Sequence, residues 1–93
     1  MSEKPPFSDY VGADVVVDTK IPTVAYLGRL EESANGLLRL SQVDVHDMQE
    51  TRTTREVYVM ESKKYGVKVN RKEVLVRLEE VVSVSRLDDI MIY

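Results

Sequence analysis

The stretch Thr23-Val24-Ala25-Tyr26-Leu27-Gly28-Arg29-Leu30-Glu31-Glu32-Ser33-Ala34-Asn35-Gly36-Leu37-Leu38-Arg39-Leu40-Ser41-Gln42-Val43-Asp44-Val45 decides the fold. Two apolar-rich runs flank Asn35-Gly36, a dipeptide that readily adopts the positive φ angles of a tight hairpin turn. The first run, about residues 23–32, sets Val24, Tyr26 and Leu30 on one face. Gly28 stands among them where a side chain is expected, which predicts a bulge or a sharp bend. The returning run carries Leu37, Leu38, Leu40, Val43 and Val45.

Upstream, Val15-Val16-Val17 is a β-branched run bounded by Asp14 and Asp18 and reads as the first strand. A turn through Asp18-Thr19-Lys20-Ile21-Pro22 follows it. Phe7 to Val11 reads as one helical turn ended by Gly12, and residues 1–6, with two prolines, read as a disordered lead. Downstream, residues 73–78 and 80–86 read as two further strands with Glu79-Glu80 at their junction. The segment between, residues 46–72, is an insertion. Thr53 to Glu56 has capping-box spacing and Tyr65-Gly66-Val67 resembles a helix end, whereas Val57-Tyr58-Val59 favours a strand. We expect a short helix over about 54–65, with a hairpin as the alternative. Residues 87–93 form a tail apolar enough to pack somewhere.

Five short strands with a sharply bent second one predict a mainly β domain over residues 7–86, a small SH3-like barrel. Five strands seldom close completely, and the last two carry little charge to discourage edge pairing. Such an edge is a joint in an oligomer, and head-to-tail repetition closes into a ring if the rotation permits.

Ninety-three residues make one domain and bury only about 60–65% of the unfolded surface, so partner subunits are an ordinary way to add burial. With no cysteine there is neither a disulfide nor a thiolate zinc site. No secretory signal and no apolar run of about 20 residues is present, so a cytoplasmic location without a membrane partner is expected. The net charge of −3 is unevenly spread. Lys63, Lys64, Lys68, Arg71 and Lys72 fall in ten residues without an acid, while the remaining 83 residues carry eight bases and sixteen acids. That segment reads either as an anion-binding face or as a solvated loop whose lysines neutralise nearby acids.

Two stretches resemble a known family. Tyr26-Leu27-Gly28-Arg29-Leu30 resembles the start of the first motif of the Sm-like (LSm) proteins, an aromatic, a glycine and a leucine at alternate positions. Val76-Arg77-Leu78-Glu79-Glu80-Val81-Val82-Ser83-Val84 resembles the second, an Ile-Arg-Gly followed by alternating apolar residues. The resemblance implies an N-terminal helix on a strongly bent five-stranded barrel. It also implies a homo-oligomeric ring, hexamer or heptamer, joined by the last two strands, with RNA at or near the pore.

In the family's RNA pocket an aspartate, a stacking residue and an asparagine come from the first motif, and an arginine and a glycine from the second. Here the aspartate position falls on Ala34 or Asn35, the stacking position near Gly36, and the asparagine on Leu37 or Leu38. The arginine survives as Arg77, followed by Leu78 in place of the glycine. A pocket that reads a base by stacking and edge hydrogen bonds loses most of its partners through these changes. Arg77 has a competing partner in Glu79 or Glu80. A basic loop repeated around a ring offers a multivalent surface to a polyanion, so Lys63, Lys64, Tyr65, Lys68, Arg71 and Lys72, with Arg77, are the candidate nucleic-acid contacts.

Other chemistry finds little support. Asp44 and His46 share a strand face with Asp47 at the edge, a set that could hold a divalent cation but is more often ordinary surface. The adjacent carboxylate pairs point to opposite faces of their strands, and no cysteine nucleophile, second histidine or phosphate-cradling loop is present. Arg52 and Arg55 beside a helix N-terminus could attract phosphate, but a capping role fits the spacing better. No enzymatic activity, cofactor or metal is expected. The expected function is a ring-forming module that binds single-stranded RNA with little sequence preference. The alternative is an oligomeric scaffold that keeps the barrel, has lost RNA recognition, and meets a protein partner through the 87–93 tail. A stand-alone SH3-like barrel is a third reading.

Overall fold

The computed structural model describes residues 4–92, so the first three residues of the expected lead and Tyr93 of the tail lie outside the described residues. Five strands form one antiparallel sheet: β1 (Asp14–Thr19), β2 (Val24–Ala34), β3 (Leu37–Asp47), β4 (Arg71–Arg77) and β5 (Val81–Arg86). Their order is β4-β3-β2-β1-β5, so the sheet does not close and β4 and β5 are its two edges.

The central hairpin forms as the sequence dictates. Ala34 pairs with Leu37 across a two-residue turn in which Asn35 and Gly36 take φ of 54° and 75°. Farther along β2 the register with β3 shifts between Leu27 and Arg29 and again between Leu30 and Glu32. Gly28 lies at the first shift because β3 passes directly over it. A β-carbon there would lie 3.0 Å from the Ser41 carbonyl oxygen and 3.1 Å from Val43 Cγ2.

The sheet buries both faces. Val15, Val17, Leu30, Leu38, Leu40, Val43 and Val76 form one core, with Tyr26, Val81 and Val84 against it and Phe7 and Tyr10 packed on top. On the opposite face Val16, Ala25 and Leu27 meet Tyr58, Val59 and Leu87. This second layer explains why Val15-Val16-Val17 is an unbroken apolar run: strand neighbours point to opposite faces, and here both are covered.

The cover is α1 (Arg55–Tyr65), so residues 54–65 form the helix and not the hairpin. The expected capping box is corrected. The N-cap is Thr54, whose Oγ1 accepts from the Val57 amide at 3.2 Å, which sets Glu56 one position too early to be its reciprocal partner. The Gly66 amide donates to Ser62 at 2.9 Å and ends the helix, with Lys63 and Lys64 in the last turn where the helix dipole favours cations. The single helical turn expected near the N-terminus is a 3-10 turn, Ser8–Tyr10. Phe7 enters it in the left-handed region and Ala13 follows within three residues, which leaves no length for an α-helix. Further 3-10 turns join β3 to α1 (Met48–Glu50), β4 to β5 (Leu78–Glu80), and β5 to the tail (Leu87–Asp89).

Candidate nucleic-acid interface

Three surfaces contain the residues singled out by the sequence. The first is an open cleft of about 630 Å³ lined by Asn35, Gly36, Leu37, Arg77, Leu78 and Glu79. Strand pairing brings these distant segments together: Leu37 is opposite Arg77, and the Leu78 amide donates to the Gly36 carbonyl at 2.8 Å. The two motifs therefore meet where the sequence alignment sets the pocket. Its side chains are poor for reading a base, since no aromatic ring lines it and Leu37 and Leu78 cannot donate or accept. Arg77, its one cation, pairs with Glu79 at 3.6 Å, both side chains being largely exposed.

The second surface is the basic segment. It begins at the end of α1, crosses residues 66–70, which belong to no helix or strand, and runs into β4. Lys64, Lys68, Arg71 and Lys72 are exposed, and among the described residues none of them forms an ion pair. Carboxylates elsewhere do engage nearby bases, as in Arg29–Glu31, Arg39–Glu32 and Arg55–Asp18. Tyr65 is 78% exposed, with the Lys64 ammonium 5.9 Å from its ring centre. Lys63 is set apart from this group. Its ammonium donates to the carbonyls of Asp88 (2.7 Å) and Ile90 (2.6 Å), which ties the tail to α1.

The third is a polar cluster beneath α1, around His46. Asp44, 1% exposed, accepts from the Tyr58 hydroxyl and from Asn70 Nδ2 at 3.2 Å. His46 stacks on the Tyr58 ring with centroids 3.9 Å apart. Asp47 accepts from the Gln49 amide at 2.9 Å and caps the turn that follows β3. Asp44, His46 and Asp47 are thus each taken up by packing or capping, and no group of three metal-ligating side chains occurs among the described residues. Burial, reinforced by the Asp44 carboxylate, pushes the Tyr58 hydroxyl well above its ordinary pKa.

Sequence reasoning missed Asn70 and Asp18. Asn70 accepts from the Val45 amide at 3.0 Å and donates to the Val45 carbonyl at 3.1 Å, so its side chain extends the β3–β4 ladder. The one side-chain amide inside residues 63–72 was the available signal. Asp18 binds Arg55 at the start of α1 and accepts from the Ser83 hydroxyl at 3.0 Å. Arg55 is therefore committed to β1 and not to a phosphate. Burial lowers its pKa, against which the charge of Glu56 acts.

No family model matches this sequence, and no curated protein matches it. Solved structures do match in shape. The Sm protein of Pyrococcus abyssii, in complex with a uridine heptamer, aligns with TM-score 0.58 at 17% identity, over 90% of this chain and 99% of that one. An Sm-like protein from Archaeoglobus fulgidus aligns with TM-score 0.58 at 16% identity, over 92% of this chain and 99% of that one. The fold is Sm-like. The LSm domain of Dm enhancer of decapping also aligns, with TM-score 0.54 at 12% identity, over 90% of this chain and 65% of that one. The sheet is open with two edges, and α1 occupies the link between the third and fourth strands. No helix among the described residues is long and apolar enough to cross a membrane.

Proposed function

We propose that this chain is a self-assembling, non-enzymatic module that binds single-stranded RNA through its basic segment, with little sequence preference. The observation that carries this reading is the set Lys64, Lys68, Arg71 and Lys72, exposed and without a carboxylate partner among the described residues. Had these lysines served to neutralise neighbouring acids, ion pairs would be expected. Exposed cations without a carboxylate partner instead suit a phosphate backbone, whose binding is driven by counterion release. The Sm-like fold supports the choice of RNA, since one structural neighbour is in complex with a uridine heptamer.

The edges β4 and β5 are the proposed joints. Leu75 and Val82 are 55% and 66% exposed on them, and head-to-tail pairing into a hexamer or heptamer would cover both. Such an assembly repeats the basic segment around its rim and multiplies weak contacts. A cytoplasmic site of action fits a chain without cysteine.

The test is the affinity of labelled single-stranded RNA as a function of salt, with the assembly state measured by light scattering. Log affinity should fall linearly with log salt, by about 0.7 per phosphate contact. Neutralising Lys64, Lys68, Arg71 and Lys72 to glutamine should flatten that slope. A well-formed oligomer that ignores RNA at all salt concentrations would remove the reading. It would favour the scaffold alternative, which the uncharged Gly36, Leu37 and Leu78 lining of the cleft supports.

A further inference from the structure

The outer side of α1 carries a second stripe. Tyr58, Val59 and Ser62 face the sheet, whereas Val57, Met60, Glu61, Lys64 and Tyr65, at helical spacing, line a groove of about 210 Å³ closed on its far side by Ile92. The groove is a built feature and not a chance approach of a loose tail. Lys63 holds the tail by the carbonyls of Asp88 and Ile90, and Leu87 is buried against the sheet, so Ile92 is presented to the helix from a fixed base.

The composition of this groove is unusual for a hydrophobic socket. Val57, Met60 and Ile92 give an apolar floor, Tyr65 gives an exposed aromatic wall, and Glu61 and Lys64 stand at the lip without ion-pair partners among the described residues. A lone apolar side chain would fill the floor but leave the exposed Glu61 and Lys64 unmatched. A nucleotide satisfies all three. Its base has a flat apolar face to stack on Tyr65, its exocyclic amino group can donate to the Glu61 carboxylate, and its phosphate can meet Lys64.

We infer that this groove takes one nucleobase of the bound RNA strand, and that it favours bases carrying an exocyclic amino group over uracil. The inference rests on the RNA reading above but concerns a different term in the binding. The basic segment supplies salt-dependent affinity, and the groove supplies a salt-independent, base-dependent part. A carboxylate accepts hydrogen bonds and cannot donate, so the exocyclic amino group of cytosine or adenine can satisfy Glu61, whereas uracil presents a carbonyl at that position and has only its ring N3–H to donate.

The experiment is fluorescence anisotropy of short labelled oligonucleotides of A, C or U, across a range of salt, with the full chain and three variants. Wild type should bind the A and C strands more tightly than U. Tyr65→Ala should weaken the A and C strands by roughly 5- to 100-fold with the salt slope unchanged, and Tyr65→Phe should retain most of the affinity. Glu61→Gln, which can both donate and accept, should narrow the gap between C and U. Salt-dependent binding that is blind to base, to Tyr65 and to Glu61 overturns the inference while leaving the RNA reading intact, and leaves the groove to a protein side chain. Absence of binding to any strand overturns both.

Discussion

The hydroxyl of Tyr58 on α1 donates to the carboxylate of Asp44 on β3, and this bond ties α1 to the sheet at a point where Asp44 is 1% exposed. His46 stacks on the same ring, and Asn70 donates to the other carboxylate oxygen. The helix that carries Lys64 and Tyr65 is thus positioned by a buried polar contact as well as by the apolar packing of Tyr58 and Val59 on Val16, Ala25 and Leu27.

Tyr58→Phe removes the donor and leaves a buried carboxylate with Asn70 alone. Loss of one partner of a buried charged acceptor costs about 1–3 kcal/mol, which chemical denaturation should detect as a lower midpoint. The same bond sets a pH dependence. Burial and Asp44 raise the folded-state pKa of Tyr58 above its unfolded value, so the folded form retains a proton that the unfolded form releases. This contribution is complete below the ordinary tyrosine range, near pH 10, and is lost as pH rises above it. Denaturation midpoints should fall more steeply in wild type than in Tyr58→Phe over that alkaline range. Parallel curves would detach the hydroxyl from helix docking.

Gly28→Ala should destabilise the domain by about 1–3 kcal/mol, the range for overpacking a filled site. The added methyl meets the Ser41 carbonyl and the Val43 side chain, both fixed by β3, so neither can give way easily. Thermal unfolding compared with wild type measures it, and a midpoint equal to wild type would mean that β2 and β3 do not cross so closely.

Lys63→Met should release the tail while leaving the salt-dependent part of RNA binding unchanged. Its two hydrogen bonds to the Asp88 and Ile90 carbonyls are lost, while the apolar stem is preserved. Amide exchange at Ile90, whose N–H bonds to the Leu87 carbonyl, should accelerate. The salt dependence of RNA affinity should stay at its wild-type slope, because this cation is already engaged. A flattened slope would return Lys63 to the binding surface.

Glu79→Gln should raise RNA affinity slightly. It frees Arg77 in the cleft between Asn35 and Leu78 and removes one negative charge beside it. An exposed pair of this kind is worth about 0.2–1 kcal/mol, so a change of a few-fold at low salt is expected, fading as salt rises. Anisotropy titrations at two salt concentrations separate this from a loss of folding.

Much of the fold was legible because it is enforced locally. Asn35-Gly36 specifies its turn through backbone conformations few residues tolerate, Gly28 marks a close crossing, and Thr23–Val45 contains both halves of the hairpin within one chain segment. The two short motifs around Gly28 and Arg77 were enough to anticipate the cleft, since antiparallel register brings Leu37 opposite Arg77. The segment 54–65 was divided between helix and hairpin because Val57-Tyr58-Val59 is β-prone in isolation, and the spacing Thr53–Glu56 pointed to the wrong cap. Burial of Tyr58 and Val59 on the sheet outweighs that propensity, and no local signal encodes it.

The candidate site divides the same way. The excess of positive charge at residues 63–72 was a property of the sequence, and so was the weakening of the pocket by Leu37 and Leu78. Which of those cations stands free was decided only by the tertiary structure, because a lysine's partners lie wherever folding brings carboxylates and carbonyls within reach. Lys63 meets carbonyls some 25 residues away along the chain, whereas Lys64, its neighbour, points to the groove beside Ile92. Sequence determined what local backbone rules and composition control: the hairpin, the bend, the strand count and the charge. Long-range contact decided the rest, since the energy of a buried pair such as Tyr58–Asp44 depends on what surrounds it and not on the residues adjacent to it in the chain.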